Sequence, residues 1–130
     1  MRVYLVRHAE AEPGEPDALR RLTPLGRRQA KQLGERFARD NIDAGAVVSS
    51  PLLRARETAE AIAAALGLAA EHDERLAPGA SEDAIRSLAA DHGRTFIAVG
   101  HQPDCGKIAG AIRGEPPPAF PVAGVCELDL

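Results

Sequence analysis

The residue types best suited to phosphoryl chemistry in this sequence come after short apolar segments. These segments are RVYLV (2–6), AVVSS (46–50) and TFIAVG (95–100). The residues that follow or closely trail them are Arg7, His8, Arg54 and His101. Arginine pairs bidentately with phosphate oxygens and keeps its charge, and a neutral imidazole can attack phosphorus. If these four side chains meet, they form a pocket for a tetrahedral phosphate dianion in which phosphoryl transfer can occur.

Whether these four side chains meet depends on the strands and helices that carry them. Along the chain, strand signals alternate with helix signals. Short β-branched segments predict strands, and apolar residues at helical spacing predict helices between them. The predicted strands cover residues 2–6, 46–50, 95–100 and 124–130, with a weaker one within 69–76. This alternation predicts an α/β protein, a three-layer α/β/α sandwich around a mostly parallel sheet. The alternating pattern of the last segment favours a place at the sheet edge.

Capping signals set the expected helix boundaries. A polar capping residue before proline or acidic residues is typical of a helix start, and glycine after an apolar stripe is typical of a helix end. The expected starts are Thr23-Pro24, Ser50-Pro51, Ser81 and Gln102-Pro103. The expected ends are Gly67, Gly93 and Gly114. The proline-rich segment 114–121 predicts a loop, and residues 1–130 are expected to form a single domain.

The predicted topology brings the four candidate residues to one place. In open parallel sheets, ligands bind beyond the carboxyl ends of the strands. Arg7 and His8 follow the first strand, and His101 follows the strand at 95–100. Arg54 lies in the first turn of the helix after the second strand, where its charge opposes the helix dipole and so indicates an anion nearby.

Composition argues against several other classes of function. The formal net charge is −3 and aromatic residues make up 3% of the chain, which disfavours binding to nucleic acid or anionic membranes. No apolar run approaches membrane length, and the start of the chain has no signal-peptide pattern. Cys105 and Cys126 form no CxxC pair or disulfide framework. We therefore expect a cytoplasmic protein.

Other site chemistries fit the residues less well. His101 and Cys105 have i,i+4 spacing and could join His8 as metal ligands, but Pro103 lies between them and two arginines would repel a cation. Neither cysteine has an arginine six residues later, as a cysteine phosphatase would need. No glycine-rich run ends in Gly-Lys-Ser/Thr, which excludes a P-loop. A catalytically silent phosphate- or phosphoprotein-binding domain stays open as an alternative.

Four ordered blocks resemble the motifs of the histidine phosphatase (phosphoglycerate mutase-like) superfamily. LVRHAEAE (5–12) resembles its R-H-G/A signature, and three further blocks follow in the family order. These blocks are LTPLGRRQA (22–30), SSPLLRARETAEAI (49–62) and AVGHQP (98–103). The resemblance covers nearly the whole chain, and it implies a phosphoglycerate mutase-like fold and a phosphatase that requires no metal or organic cofactor.

The resemblance also implies a role for each matching residue. His8 would be the nucleophile that becomes phosphorylated. The phosphate pocket would be completed by Arg7, Arg54 and His101. In the SixA-type branch of phosphohistidine phosphatases, an arginine three residues before the threonine of the second block belongs to the pocket as well. That position is Arg20 here, and Arg21 beside it leaves the choice between the two open.

The expected branch follows from the missing insertion. The larger mutases and acid phosphatases carry an inserted region with a carboxylic general acid, but the stretch between Gly67 and Thr95 is too short for one. The resemblance therefore implies a SixA-type enzyme with an uncapped pocket. Its expected substrate is a phosphorylated protein, with a broad small-molecule phosphomonoesterase as the alternative. The oligomeric state is not predicted.

Leaving-group chemistry favours the same branch. Expelling an alkoxide requires a proton donor, whereas the imidazole of phosphohistidine, with a reference pKa of about 6.5, needs less help. His101, expected to be protonated, would add a proton-bearing donor to the transition state. The candidate carboxylic acids are Glu10, Glu12, Asp17 and Glu82.

Overall fold

A five-stranded sheet forms the centre of the molecule. The computed structural model describes all of residues 1–130. The strands are β1 (Arg2–Arg7), β2 (Val47–Ser49), β3 (Ala70–His72), β4 (Phe96–Gly100) and β5 (Val125–Asp129). Their spatial order is β3-β2-β4-β1-β5. The first four run parallel, and β5 pairs antiparallel with β1 at one edge. The predicted mostly parallel sheet and the edge position of the last strand are confirmed.

Four helices cover the two faces of the sheet. They are α1 (Pro24–Arg39), α2 (Leu53–Leu66), α3 (Glu82–His92) and α4 (Asp104–Arg113), with short 3₁₀ turns at Asp17–Leu19 and Glu74–Leu76. One face packs against α1 and α2, and the other packs against α3 and α4. This is the predicted three-layer α/β/α sandwich. None of the helices combines the length and apolar character that crossing a membrane demands.

The alternation of side chains along each strand explains the two cores. In β1, Val3 and Leu5 pack with α3 and α4, whereas Tyr4 and Val6 pack with α1 and α2. Successive side chains of a strand point to opposite faces, so a strand that is covered on both sides reads as a continuous apolar run. The strands that carry the candidate residues are therefore buried, and only their carboxyl ends offer polar groups.

Most predicted helix boundaries are confirmed, and two starts differ. The helix α4 begins at Asp104, one residue later than Gln102-Pro103 predicts. The Thr23 hydroxyl accepts a hydrogen bond from the Gly26 amide at 2.9 Å and caps α1. The helices α2, α3 and α4 end at glycines in the left-handed region, as expected: Gly67, Gly93 and Gly114. However, α2 begins at Leu53 and not at Ser50-Pro51. The Ser50 hydroxyl is instead engaged with His101.

The weaker strand within 69–76 is only partly formed. Ala70–His72 is a strand, and Glu74–Leu76 is a 3₁₀ turn. Asp73 ends the strand because its side chain accepts a hydrogen bond from the Arg75 amide at 2.8 Å. This local bond offers the backbone an alternative to the sheet ladder.

The return of the chain from α4 explains the antiparallel edge strand. The helix starts near the carboxyl end of β4 and runs to the opposite edge of the sheet, where it stops at Gly114. The loop that follows comes back to the carboxyl edge, since Val125 of β5 pairs with Val6 near the end of β1. Residues 120–124 therefore lie next to the candidate site.

The first turn of α1 packs closely against the segment that follows β1. A Cβ atom placed on Gly26 would collide with the carbonyl oxygen of Glu10. We expect Gly26→Ala to lower the free energy of unfolding by about 1–3 kcal/mol in urea denaturation, because a backbone carbonyl cannot move aside as a flexible side chain can. Glu35→Ala, at an exposed position of the same helix, is the control and should change stability by no more than about 0.5 kcal/mol. Wild-type stability of Gly26→Ala would contradict this close packing.

Candidate active site

The carboxyl ends of three neighbouring strands, β1, β4 and β2, form the floor of the site. The His8 amide donates to the Gly100 carbonyl at 3.0 Å, and the Ser50 amide donates to the Val99 carbonyl at 2.9 Å. These bonds continue the sheet ladder beyond the strands, so that His8, His101 and Ser50 leave the sheet side by side. The ring centroids of His8 and His101 are 5.3 Å apart.

The predicted residues line one pocket of about 280 Å³ above this floor. The lining consists of Arg7, His8, Glu10, Ala11, Arg20, Arg54, His101, Gln102 and Val122. Arg20, and not Arg21, belongs to the lining. Arg21 is largely exposed and pairs with Glu12 at 3.2 Å. The structure therefore brings the five candidate residues together and separates the two neighbouring arginines.

His8 is held as a neutral imidazole with one free nitrogen. Its Nδ1 lies 2.7 Å from the Ala9 carbonyl oxygen, which can only accept a hydrogen bond. Nδ1 therefore carries the proton, and Nε2 keeps its lone pair. Burial lowers the pKa of His8 to about 4, and the charges of Arg54, Arg7 and Arg20 act in the same direction, while the bond to Ala9 opposes them. At neutral pH the ring is in the state that a nucleophile requires.

His101 is also neutral in the unliganded site, whereas its expected protonated state concerns the transition state and stays a prediction. Its pKa is lowered to about 4, mainly by burial and then by the charge of Arg54. Its Nε2 lies 2.7 Å from the Ser50 hydroxyl, which also accepts a hydrogen bond from the Leu52 amide at 3.2 Å. The dipeptide Ser50-Pro51 predicts a helix cap and not this contact, although the place of Ser50 directly after β2 is a signal for a site residue.

Asp17 holds two of the pocket arginines. Its carboxylate accepts from Arg20 Nε at 2.9 Å and from an Arg54 terminal nitrogen at 3.2 Å. Its backbone carbonyl accepts the other terminal nitrogen of Arg54 at 2.9 Å. The hydrogen bond from Arg20 is the main cause that lowers the pKa of Asp17. The carboxylate therefore stays ionised, and it orients guanidinium groups and does not supply a proton.

Three buried side-chain nitrogens have no hydrogen-bond partner in the protein, and all three belong to pocket residues. They are Arg7 Nε, Arg54 Nε and His101 Nδ1. A buried donor without a partner costs about 1–3 kcal/mol, so such groups are rare unless a ligand uses them. The oxygens of a tetrahedral anion are the acceptors that this set of nitrogens would match.

Of the four candidate carboxylic acids, only Glu10 lines the pocket. Its carboxylate accepts from the Thr23 hydroxyl at 2.7 Å. Glu12 turns outward to Arg21, and Asp17 is held between arginines. Glu82 pairs with an arginine one turn further along α3, outside the lining. Glu12 and Glu82 were therefore wrong as candidates, because neither side chain reaches the phosphate pocket.

Two further groups support the pocket and carried no sequence signal. Thr58 is fully buried, and its hydroxyl accepts from the Ala9 amide at 3.1 Å and donates to the Arg54 carbonyl at 2.8 Å. It thereby ties the segment after β1 to α2. On the other side, the Ala123 amide donates to the His8 carbonyl at 3.1 Å, with Ala123 at a φ of 58°. A non-glycine residue in this left-handed region is strained, and such strain is typical of sites that the surrounding fold holds in place.

The rival metal site has no support in the geometry. Cys105 lies in the core beneath the sheet edge, and its thiol is 3.8 Å from the Val6 carbonyl. Burial raises the pKa of Cys105 to about 12, which disfavours the thiolate at neutral pH.

Comparison with known proteins identifies the family. A model of the histidine phosphatase superfamily (branch 1) matches residues 3–120. The chain belongs to this superfamily. A protein histidine phosphatase, SixA, solved with tungstate, superposes with a TM-score of 0.89 at 25% identity over 100% of this chain and 88% of that one. The SixA protein of Agrobacterium tumefaciens gives a TM-score of 0.84 at 30% identity over 98% of this chain and 90% of that one.

The chain is also similar in sequence to a protein of unassigned activity. An uncharacterized protein of Picosynechococcus sp. is 36% identical over 120 residues, which cover 86% of this chain and 73% of that protein. Family membership and the similarity to SixA identify the chain as a phosphatase with a phosphoglycerate mutase-like fold. Its substrate is a phosphorylated protein or a small phosphorylated molecule.

Arg54 offers the sharpest test of anion binding. We expect Arg54→Ala to weaken the binding of phosphate or tungstate about tenfold to a hundredfold, the loss typical of charge-assisted hydrogen bonds. Arg54→Lys should fail as well, because one ammonium cannot bond Asp17 and hold two anion oxygens together. Isothermal titration measures the affinity, circular dichroism checks the fold, and Arg86→Ala on the surface of α3 is the control. Unchanged affinity in Arg54→Ala would remove this residue from the pocket.

The lowered pKa values of the two histidines predict a pH dependence of stability. Unfolded histidine titrates near pH 6.5, whereas His8 and His101 take up protons only near pH 4 in the folded protein. Between these values the unfolded state binds more protons, so the free energy of unfolding is highest above about pH 6.5 and falls as the pH drops towards about 4. Urea denaturation at several pH values measures this fall. A His8→Asn/His101→Asn variant should lose less stability, and an equal loss in both proteins would contradict the shifts.

Proposed function

We propose that this phosphatase acts on phosphohistidine, as a SixA-type enzyme, through a covalent intermediate on His8. The observation that carries the proposal is the state of His8: a neutral ring whose Nε2 lone pair is free, among three guanidinium groups. The proposal includes the roles of Arg7, Arg20, Arg54 and His101 as phosphate-binding residues. It also treats residues 1–130 as one domain, since both cores are built from segments along the whole chain.

In the first step His8 Nε2 attacks phosphorus, and the bond from phosphorus to the substrate nitrogen breaks. The electron pair of that bond leaves with the substrate imidazole, whose nitrogen takes up a proton from solvent water. The ring of His8 gains positive charge as the new bond forms, and the Ala9 carbonyl stabilises that charge through the Nδ1 proton. The arginines offset the negative charge on the transferring oxygens.

In the second step water attacks the phosphoryl group on His8. The bond between Nε2 and phosphorus breaks, inorganic phosphate forms with the elements of water, and the free imidazole returns. A bound dianion favours the charged form of a neighbouring imidazole. His101, neutral in the unliganded pocket, therefore gains a proton more readily once phosphate is bound, and Nδ1 is its free donor.

The small number of acidic groups in the pocket supports a phosphohistidine substrate over an alkyl phosphate. The lining contains one carboxylate, Glu10, and this group already accepts a hydrogen bond from Thr23. Imidazole is a better leaving group than an alkoxide and depends less on a strong acid. Similarity to SixA over the whole chain supports the same substrate class. A small-molecule phosphomonoesterase is the second candidate, and the presence of Glu10 in the lining is what favours it.

Mass spectrometry of rapidly quenched protein tests the proposal. The enzyme is mixed with phosphoimidazole, with a phosphohistidine protein and, separately, with an aryl phosphate. We expect an acid-labile phosphoryl group on His8, and faster turnover of the phosphohistidine substrates. His8→Ala and His8→Asn should lose turnover, while His72→Asn, at an exposed histidine, should keep it.

The outcomes separate the candidate functions. Turnover by His8→Ala would remove His8 as the nucleophile. A clear preference for the aryl phosphate would favour the phosphomonoesterase. Phosphate binding without an adduct or turnover on any substrate would leave the silent binding domain as the better description.

A further inference from the structure

The exposed face of α1 carries a concentration of positive charge that the proposed mechanism does not use. Its exposed basic residues are Arg27, Arg28, Lys31, Arg36 and Arg39. Glu35 is the single acidic residue of the helix, and none of these side chains forms an ion pair within the protein. This concentration of unpaired positive charge contrasts with the formal net charge of −3 of the whole chain.

A groove of about 460 Å³ runs along this face, between α1 and residues 122–123. It is lined by Gln29, Gln32, Leu33, Glu35, Arg36, Arg39, Val122 and Ala123. The groove is larger than the phosphate pocket and lies next to it, because Val122 lines both. Gln29 joins them as well, since its side chain accepts from the amide of Glu10 at 2.9 Å.

Helix chemistry alone explains only part of this face. Arg36 and Arg39 lie in the last turn of α1, where the helix dipole favours cations. The dipole does not explain the groove beside these arginines, whose lining contains two arginines and a single carboxylate, Glu35. A groove with arginines, glutamines and one buried leucine offers charge, hydrogen bonds and an apolar contact to a bound chain segment.

We propose that this groove binds an acidic segment of the phosphorylated protein substrate, next to the residue that enters the pocket. The proposal rests on the proposed function and narrows its substrate class to phosphohistidine proteins with nearby aspartates or glutamates. The eleven helical residues from Gln29 to Arg39 span about 15 Å, which matches about four to five residues of extended chain. The acidic residues should therefore lie within about eight positions of the phosphohistidine. Long-range attraction to the basic face would also raise the rate of association at low salt.

Two synthetic peptides test this proposal. Each carries one phosphohistidine, and the first has four glutamates within eight residues of it where the second has glutamines. We expect the wild-type enzyme to prefer the acidic peptide about fivefold or more in kcat/KM at low ionic strength, and the preference to shrink in 0.5 M salt. Arg36→Glu/Arg39→Glu should abolish or reverse the preference.

A matched control separates the groove from general electrostatics. Lys107→Glu/Arg113→Glu makes the same change in net charge at exposed positions of α4, which covers the other face of the sheet from α1. This variant should keep the preference for the acidic peptide. Circular dichroism of both variants checks that the fold is intact, and Arg36→Gln/Arg39→Gln gives a milder change if charge reversal destabilises α1.

The possible failures are distinguishable. Equal kcat/KM of the wild type on both peptides would overturn the groove proposal and leave the phosphohistidine activity standing, as would an equal loss of preference in the control variant. Hydrolysis of neither peptide, nor of phosphoimidazole, would overturn the proposed function, and the groove proposal would fall with it. If Arg36→Glu/Arg39→Glu weakened binding to anionic vesicles or an RNA oligomer while the peptides were treated alike, the face would serve another polyanion and the proposal would be wrong.

Discussion

The hydrogen bond from the His8 amide to the Gly100 carbonyl determines the geometry on which the rest of the site depends. It extends the β1–β4 ladder by one residue, and so it aligns the two residues that follow these strands. Because β4 lies between β1 and β2, the same register also brings Ser50 beside His101. A shift of one residue in either strand would turn a catalytic side chain towards the opposite helical layer. The buried apolar strands make such a shift costly, and the site is therefore as rigid as the core beneath it.

The protonation states in the pocket follow from burial and from the close spacing of its charged groups. Three arginines and two imidazoles share a partly buried space. Burial and the arginine charges lower the pKa of both imidazoles, which are therefore neutral. Asp17 is the counter-charge that makes the cluster tolerable, since it bonds Arg20 and Arg54 from outside the pocket. Asp17 lies outside the pocket lining. Arg7 Nε, Arg54 Nε and His101 Nδ1 have no partner in the protein and can bond to a ligand. The unliganded protein thus keeps His8 neutral while the arginines present positive charge to the pocket.

The loop before β5 links this pocket to the groove along α1. Arg7 donates to the Phe120 carbonyl at 3.1 Å, and Ala123 donates to the His8 carbonyl. The same segment provides Val122, which borders both the pocket and the groove. The antiparallel course of β5 is what brings this loop to the carboxyl edge of the sheet. One connection therefore serves as a wall for the phosphate pocket and as a rim for the surface on which the rest of a substrate would lie.

The sequence by itself determined the layered α/β architecture, the glycine ends of three helices, and the set Arg7, His8, Arg54 and His101, because apolar periodicity, capping and motif order are local signals. The tertiary structure alone decided between Arg20 and Arg21, since that choice depends on which guanidinium faces the pocket. It also moved Ser50 from a helix cap to a partner of His101, and it left Glu10 as the one carboxylate in the lining. The sequence also could not indicate that His101 is neutral in the unliganded site. Burial and the charges of residues far apart in the chain set a pKa, and only the folded molecule brings those residues together.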